Sequence, residues 1–483
     1  MRYGLIIGIL GSISKYVGMM FIIPIVAAVI LKEYNHILPF LVSLIIALIL
    51  GFILSYNKLA QKEIDTIKKT EALTTVFFAW VLFTVICTIP YLFYDFSVTN
   101  AFFEAMSGTT TTGATIITDF SKYPKTLFFF RSLTQWFGGM GIVVLFIAVL
   151  PKIAVAGREM FFAEIPAPTE DKATPRIRYT ASWLWGIYLA YTVVETVVLK
   201  LLNVDTYSAI ITSLSTISTG GFSALSNSIQ EFHDPKIAVC VLFFMFIAGI
   251  NYLLVYRSLK DKKPAPVFKS EEFRAYLGII IFTSILLTAS LIINSNYPIK
   301  TAFLNSFFEV TSTMTSTGFA VDNYIKWDTT SKIILFIAFF TGGCATSTSG
   351  GIKIIRLVFV VKYLKRELNK ILHSSAVYPI ALEGSAVGRD IISQMIAFVI
   401  FYVVIFAIGA FLIVLIENNA TLALSSGAAA LGNIGPAYAM IGPMDNFDGL
   451  NIFTKWILIL LMLIGRLEII PFLAILNKDL WKD

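Results

Sequence analysis

Long apolar runs alternate with short polar connections along this chain, and the alternation predicts helices that cross a membrane. The stretches Leu5 to Leu31, Ile37 to Leu54, Ala72 to Phe93 and Ile452 to Leu476 each reach the roughly 18 residues that mark a spanning helix. Carried along the chain, the pattern predicts ten crossings, at 4–31, 37–56, 72–93, 126–150, 179–202, 236–256, 273–294, 331–363, 390–416 and 450–476. Within each of the last four pairs lies a further segment of only about ten residues, too short to span hydrocarbon.

Each short segment runs into a similar stretch. These are Thr110-Thr111-Thr112-Gly113-Ala114, Ile217-Ser218-Thr219-Gly220-Gly221, Thr315-Ser316-Thr317-Gly318-Phe319 and Gly432-Asn433-Ile434-Gly435-Pro436. One such stretch is an ordinary helix end or packing turn. Four, recurring at spacings of roughly 100 residues, mark an internal repeat. A half-spanning helix stops near the bilayer midplane, where its carboxyl end favours a cation. The chain then turns back with unusual backbone angles that glycine tolerates, and irregular backbone at that depth must line a water-filled path or be buried. The prediction is a fourfold ring of carbonyls that strips water from a monovalent cation.

The expected fold class is an all-α polytopic membrane protein. Four parallel membrane–pore–membrane repeats, with four re-entrant pore loops, surround one pseudo-fourfold pore, and an N-terminal helix pair precedes them. The boundaries read as 1–71 for that pair and 72–152, 153–257, 258–365 and 366–483 for the repeats. Repeats one and three are the nearest twins. Phe102 to Gly113 aligns without gaps on Phe307 to Gly318, with seven of twelve positions identical.

Composition agrees: of 483 residues, 57% are hydrophobic and 14% charged, against roughly a quarter charged in soluble domains. The apolar amino terminus is too long for a signal h-region and reads as a retained anchor. Cys87, Cys240 and Cys344 sit scattered in apolar segments and offer neither a disulfide framework nor metal-ligand spacing. The net charge of +7 does not indicate nucleic acid. Basic residues crowd into alternate connections, such as Lys58, Lys62, Lys68 and Lys69, then Lys152, Arg158, Lys172, Arg176 and Arg178. The positive-inside rule then puts both termini in the cytoplasm. Connections such as the one holding Pro166-Ala167-Pro168 are too short for a nucleotide-binding domain, so a soluble regulator must be a separate polypeptide. No acid–base pair, metal cluster or activated nucleophile points to an enzyme.

These stretches resemble the Trk/Ktr/HKT superfamily of potassium transporters over the whole chain, and the extra helix pair matches its longer branch. The resemblance implies filter glycines at Gly113, Gly220, Gly318 and Gly435. It also implies potassium contacts from Thr111, Thr112, Ser218, Thr219, Ser316, Thr317, Asn433 and Ile434. Relatives that favour sodium typically carry serine at the first glycine, so Gly113 implies potassium. Potassium at the filter would be the only metal, and no cofactor is expected on this chain. The resemblance further implies a homodimer with one pore per subunit, embedded in the lipids of a bacterial inner membrane. A cytoplasmic TrkA-like ring would carry the regulatory nucleotide.

Two features predict a gate. Thr341 to Gly351 interrupts the eighth crossing with four glycines and five hydroxyls, which disfavours a lipid-facing helix. It lacks the Gly-Lys-Ser/Thr ending of a phosphate loop. A flexible intramembrane segment, as in the superfamily, fits better than a kinked helix, and Gly342, Gly343, Thr346, Ser347, Gly350 and Gly351 are its candidate residues. Arg466 lies deep in the last crossing, where an ionisable group is a functional candidate; a structural ion pair is the other reading. Glu104 and Glu309, in the pore helices, are expected to brace them from behind, with Arg131 and Lys455 as partners. The leading function is potassium uptake. A sodium-selective or Na⁺/H⁺-coupled path is the alternative, and a non-transporting receptor on the same scaffold is a further one.

Overall fold

The computed structural model describes residues 1–55, 67–141, 177–373 and 378–477. The second half of the expected 126–150 crossing, the Pro166-Ala167-Pro168 connection and the boundary at 152–153 lie outside the described residues.

Helices α1 (Tyr3–Met20) and α2 (Ile22–Ile30) run on with little interruption, and α3 (Ile37–Leu54) returns beside α1. Small residues let these backbones approach, as interfaces between apolar helices require. A Cβ added to Gly18 would sit 3.2 Å from the Ala47 Cβ, and Ser14 Oγ donates to Ala47 O at 2.7 Å. Lys15 packs its ammonium over the Phe52 ring, 4.4 Å from the centroid.

After this pair, the order of long outer helix, short helix and inner helix recurs four times. The first set is α4 (Lys69–Thr88), α5 (Val98–Thr109) and α6 (Lys125–Gly139). The second is α7 (Ile177–Leu201), α8 (Thr206–Ile217) and α9 (Pro235–Ala248), continued by α10 (Tyr252–Asp261). The short α11 (Ala265–Lys269) leads to α12 (Glu271–Ser295), α13 (Ile299–Met314), α14 (Thr329–Ala338) and α15 (Ile354–Leu372). A small hairpin pairs Ala381 with Ala386. The last set is α16 (Arg389–Glu417), α17 (Ala420–Leu431) and α18 (Ile452–Arg466), followed by α19 (Ile470–Leu476).

Among the described residues, six helices are long and apolar enough to span a membrane, or seven if the bent α9–α10 pair counts as one. Three expected crossings are not single helices. The one at 236–256 bends by 89° after Ala248, where Asn251 starts a new helix by accepting from Leu253 N at 3.0 Å. The one at 331–363 opens into the glycine-rich loop. The one at 450–476 breaks at Glu468 and Ile469, which hold left-handed φ values of 53° and 66°. The interruption at 341–351 was expected from its glycines; hydropathy reports only that a segment is apolar, so it gave no sign of the other two breaks.

Candidate functional site

The four short helices have 12, 12, 16 and 12 residues, hence lengths of ~18–24 Å. Three begin with side-chain caps: Ser97 accepts from Asn100 N, Asp205 from Ser208 N and Asn419 from Leu422 N. All four end in the same turn. Thr112, Gly220, Thr317 and Ile434 donate their N–H groups to Ser107, Ser215, Ser312 and Ala429, each at 2.8 Å. The residues before them donate to Gly108, Thr216, Thr313 and Ala430. This double bond is the Schellman ending of a helix, which needs a left-handed residue. Here those residues are Thr111, Thr219, Ser316 and Asn433, with φ of 52–55°. None is glycine, and each stores about 1–3 kcal/mol of backbone strain.

A second left-handed residue follows two positions on. It is Gly113, Gly221, Gly318 or Gly435, with φ of 81°, 75°, 79° and 94°. In the second set, then, the residue equivalent to Gly113 is Gly221. Gly220, aligned there from sequence, stands where the other sets have Thr112, Thr317 and Ile434. The sequence alignment slipped by one because two glycines are adjacent and only backbone geometry separates them.

The four turns close a ring. A Cβ on Gly113 would strike Gly220 O, one on Gly221 would strike Thr317 O, one on Gly318 would strike Ile434 O, and one on Gly435 would strike Thr112 O. Each glycine thus faces the carbonyl preceding the next glycine, in the cyclic order one, two, three, four, one. A cavity of about 100 Å³ lies on one side, lined by Gly113, Gly221, Gly318, Pro436 and Arg131. On the other is a cavity of about 50 Å³, lined by Trp80, Gly139, Thr348, Lys353 and Arg466.

The loop of Thr341 to Gly351 crosses this second side. Sequence suggests a flexible segment; the structure pins it. Gly342 N donates to Ile352 O at 2.8 Å and Ile354 N to Gly343 O at 3.0 Å, closing its neck. Gly343 N donates to Ser349 Oγ at 2.9 Å and Ser347 Oγ to Cys344 O at 2.6 Å. Thr346 Oγ1 donates to Asn251 Oδ1 at 2.7 Å. Three contacts join the loop to the ring: Gly350 N to Ser316 Oγ at 2.6 Å, Thr348 Oγ1 to Ile217 O at 3.2 Å, and a close approach of Gly350 to Gly432 O.

Arg466 completes the enclosure. Its Nη1 donates to Thr348 O at 2.9 Å and to Thr111 Oγ1 at 3.1 Å, while Nη2 donates to Gly139 O at 2.5 Å and to Gly138 O. Glu468, two residues further on, pairs with Arg356. Lys353 was missed: it is buried two residues past the loop and donates back to Ser349 O at 2.5 Å and Ser347 O at 3.2 Å.

The two glutamates differ. Glu104 forms a fully buried ion pair with Arg131 at 2.7 Å and accepts from Ile116 N at 2.9 Å. Arg131 also reaches Ser223 O at 3.3 Å and lies 4.0 Å from the Phe222 ring centroid, so it ties the first turn to the second. Glu309 accepts from Val321 N at 2.9 Å, and among the described residues no cation pairs with it. Lys455, expected with Arg131 to partner these glutamates, donates instead to Asn100 Oδ1 and Asp448 O, each at 2.8 Å.

Gln135 gave no sequence signal that was read, although a polar residue amid α6 was visible. Its Nε2 donates to Gly220 O at 2.6 Å and its Oε1 accepts from Phe222 N at 3.1 Å.

Apolar helices packed around an axis of backbone oxygens define a multi-pass membrane protein. The model of the TrkH family, described as a cation transport protein, matches residues 37–481, and the chain belongs to that family, whose members are transporters and not enzymes. It is 34% identical over 491 residues to the Trk system potassium uptake protein TrkH of Salmonella typhimurium, covering 98% of this chain and 99% of that one. Its identity to the protein of the same name from Vibrio parahaemolyticus is 32%, over the full length of both. The crystal structure of the potassium transporter TrkH from Vibrio parahaemolyticus superposes with a TM-score of 0.89 at 30% identity, again over all of both chains.

Proposed function

We propose that this chain is a potassium-uptake protein of a bacterial inner membrane, with both termini cytoplasmic. Potassium passes through the carbonyl ring, and the loop with Arg466 forms the gate. The observation that carries this reading is the cyclic approach of each left-handed glycine to the carbonyl before the next one. Such a ring offers neutral oxygens from four directions, the chemistry that replaces the hydration shell of a weakly hydrated monovalent ion. Related proteins bear the printed name of potassium uptake proteins, which supports potassium as the ion, as does glycine at position 113.

The four helix sets are four parallel repeats, and their broken inner helices still complete the ten crossings. Arg466 lies against Thr111 with its charge facing the smaller cavity, where a fixed guanidinium repels an approaching cation. Gating then requires the loop and Arg466 to move together. A homodimer resting on a TrkA-like nucleotide-binding ring would supply that movement.

Purified protein in liposomes, loaded with potassium and challenged with sodium, tests the reading. Potassium flux that sodium fails to inhibit is the expected result. Equal competition by sodium would instead establish the sodium-permeable alternative, and absence of any flux, with or without the nucleotide-binding partner, would remove transport.

A further inference from the structure

The second turn alone lacks a side chain at the position before the left-handed glycine: Gly220 stands where the others carry Thr112, Thr317 and Ile434. Its φ is not left-handed, so backbone strain does not demand glycine there. The space does. A Cβ on Gly220 would overlap the Gln135 carboxamide, lying 2.6 Å from its Oε1 as well as against its Cδ. The missing side chain is replaced by one from a neighbouring helix.

Gln135 is fully buried and uses both ends of its amide on one strand of backbone. Nε2 donates to Gly220 O at 2.6 Å and Oε1 accepts from Phe222 N at 3.1 Å. The amide can face only one way, because a backbone carbonyl only accepts and a backbone N–H only donates. At the same count from the helix N-caps stand Met245 in α9, Phe339 just past the end of α14 and Met462 in α18, all apolar and buried. Among the described residues, no side chain donates to Thr112 O, Thr317 O or Ile434 O in this way.

We propose that Gln135 is a positioning residue that fixes the direction and electron density of the second ring carbonyl, and thereby helps set the cation preference. The inference rests on the ring being the ion path. A carbonyl oxygen that already accepts a short hydrogen bond has less charge to offer a cation and less freedom to swing toward a smaller one. On the account in which number and field strength of the carbonyls set selectivity, one clamped oxygen among four makes the ring unequal by construction.

The test uses Gln135→Met, which keeps the bulk and removes both hydrogen bonds, with Gly220→Ala and Gln135→Ala/Gly220→Ala. In liposomes, Gln135→Met should still conduct potassium but lose about tenfold in preference over sodium, ~1.4 kcal/mol of discrimination. Gly220→Ala should abolish selective flux, and the double variant, where the alanine methyl enters the vacated space, should regain part of it. An unchanged ratio in Gln135→Met, or a double variant no better than Gly220→Ala alone, overturns the proposal. Thermal unfolding of the same variants in detergent reads the coupling of positions 135 and 220 without reference to transport. Additive effects there would remove the clamp itself, whereas unselective flux in the unaltered protein would remove the ion-path reading.

Discussion

Arg466 donates from Nη1 to Thr111 Oγ1 at 3.1 Å, joining the last inner helix to the first turn of the ring. The same guanidinium holds Thr348 of the loop and the carbonyl end of α6. One side chain therefore ties together the three elements that the proposed gate would part.

Arg466→Ala should raise basal potassium flux, because it removes both the positive charge and the bonds holding the loop closed. Flux in liposomes without any partner protein measures this. Unchanged basal flux and unchanged regulation would take Arg466 out of the gate and leave it as structural bracing.

The Arg131–Glu104 pair is buried on both sides, and breaking such a pair leaves an uncompensated charge. Arg131→Met should destabilise the protein by about 3–5 kcal/mol, seen as lost thermal stability in detergent. Adding Glu104→Gln to it should recover part of the loss, since the stranded carboxylate is then gone. If the double variant is no better, the pair does not contribute through its charges.

Glu309 occupies the equivalent place in the third short helix without a cation. Glu309→Gln keeps an oxygen to accept from Val321 N and should cost less than about 1 kcal/mol. Glu104→Gln, which leaves Arg131 with a weakened partner, should cost more. Melting temperatures of the two variants, measured side by side, decide between this asymmetry and equal roles.

Gly113→Ser should weaken discrimination against sodium while the protein still inserts, because the strained contact with Gly220 O is confined to the ring. Gly221→Ser should have the same effect, since it places a Cβ against Thr317 O at a left-handed φ of 75°. Competition by sodium in flux assays checks both. A selective Gly221→Ser protein would restore Gly220 as the equivalent position.

The repeat was legible because its helices, turns and spacing are local. Phe102 to Gly113 and Phe307 to Gly318 share the residues at the end of a short helix, and each copy closes its final turn by the same hydrogen bonds. The Thr341 to Gly351 interruption was legible for the same reason, as its glycines are poor helix formers. Partners were not. Of the two cations expected beside Glu104 and Glu309, Arg131 pairs with Glu104, yet Lys455 goes to Asn100 and Asp448, since a residue far along the chain finds its partner only through packing.

Apolar run lengths and glycine positions act within a few residues, so the chain alone marks a helical membrane protein with four related turns. The folded backbone was needed to show that Gly221, and not Gly220, is the counterpart of Gly113. It also decided that Gln135 fills the space at Gly220 and that Arg466 meets Thr111. The first rests on backbone φ within a single turn, whereas the other two follow from side chains brought within hydrogen-bonding distance across sequence separations of 85 and 355 residues, which no local pattern encodes.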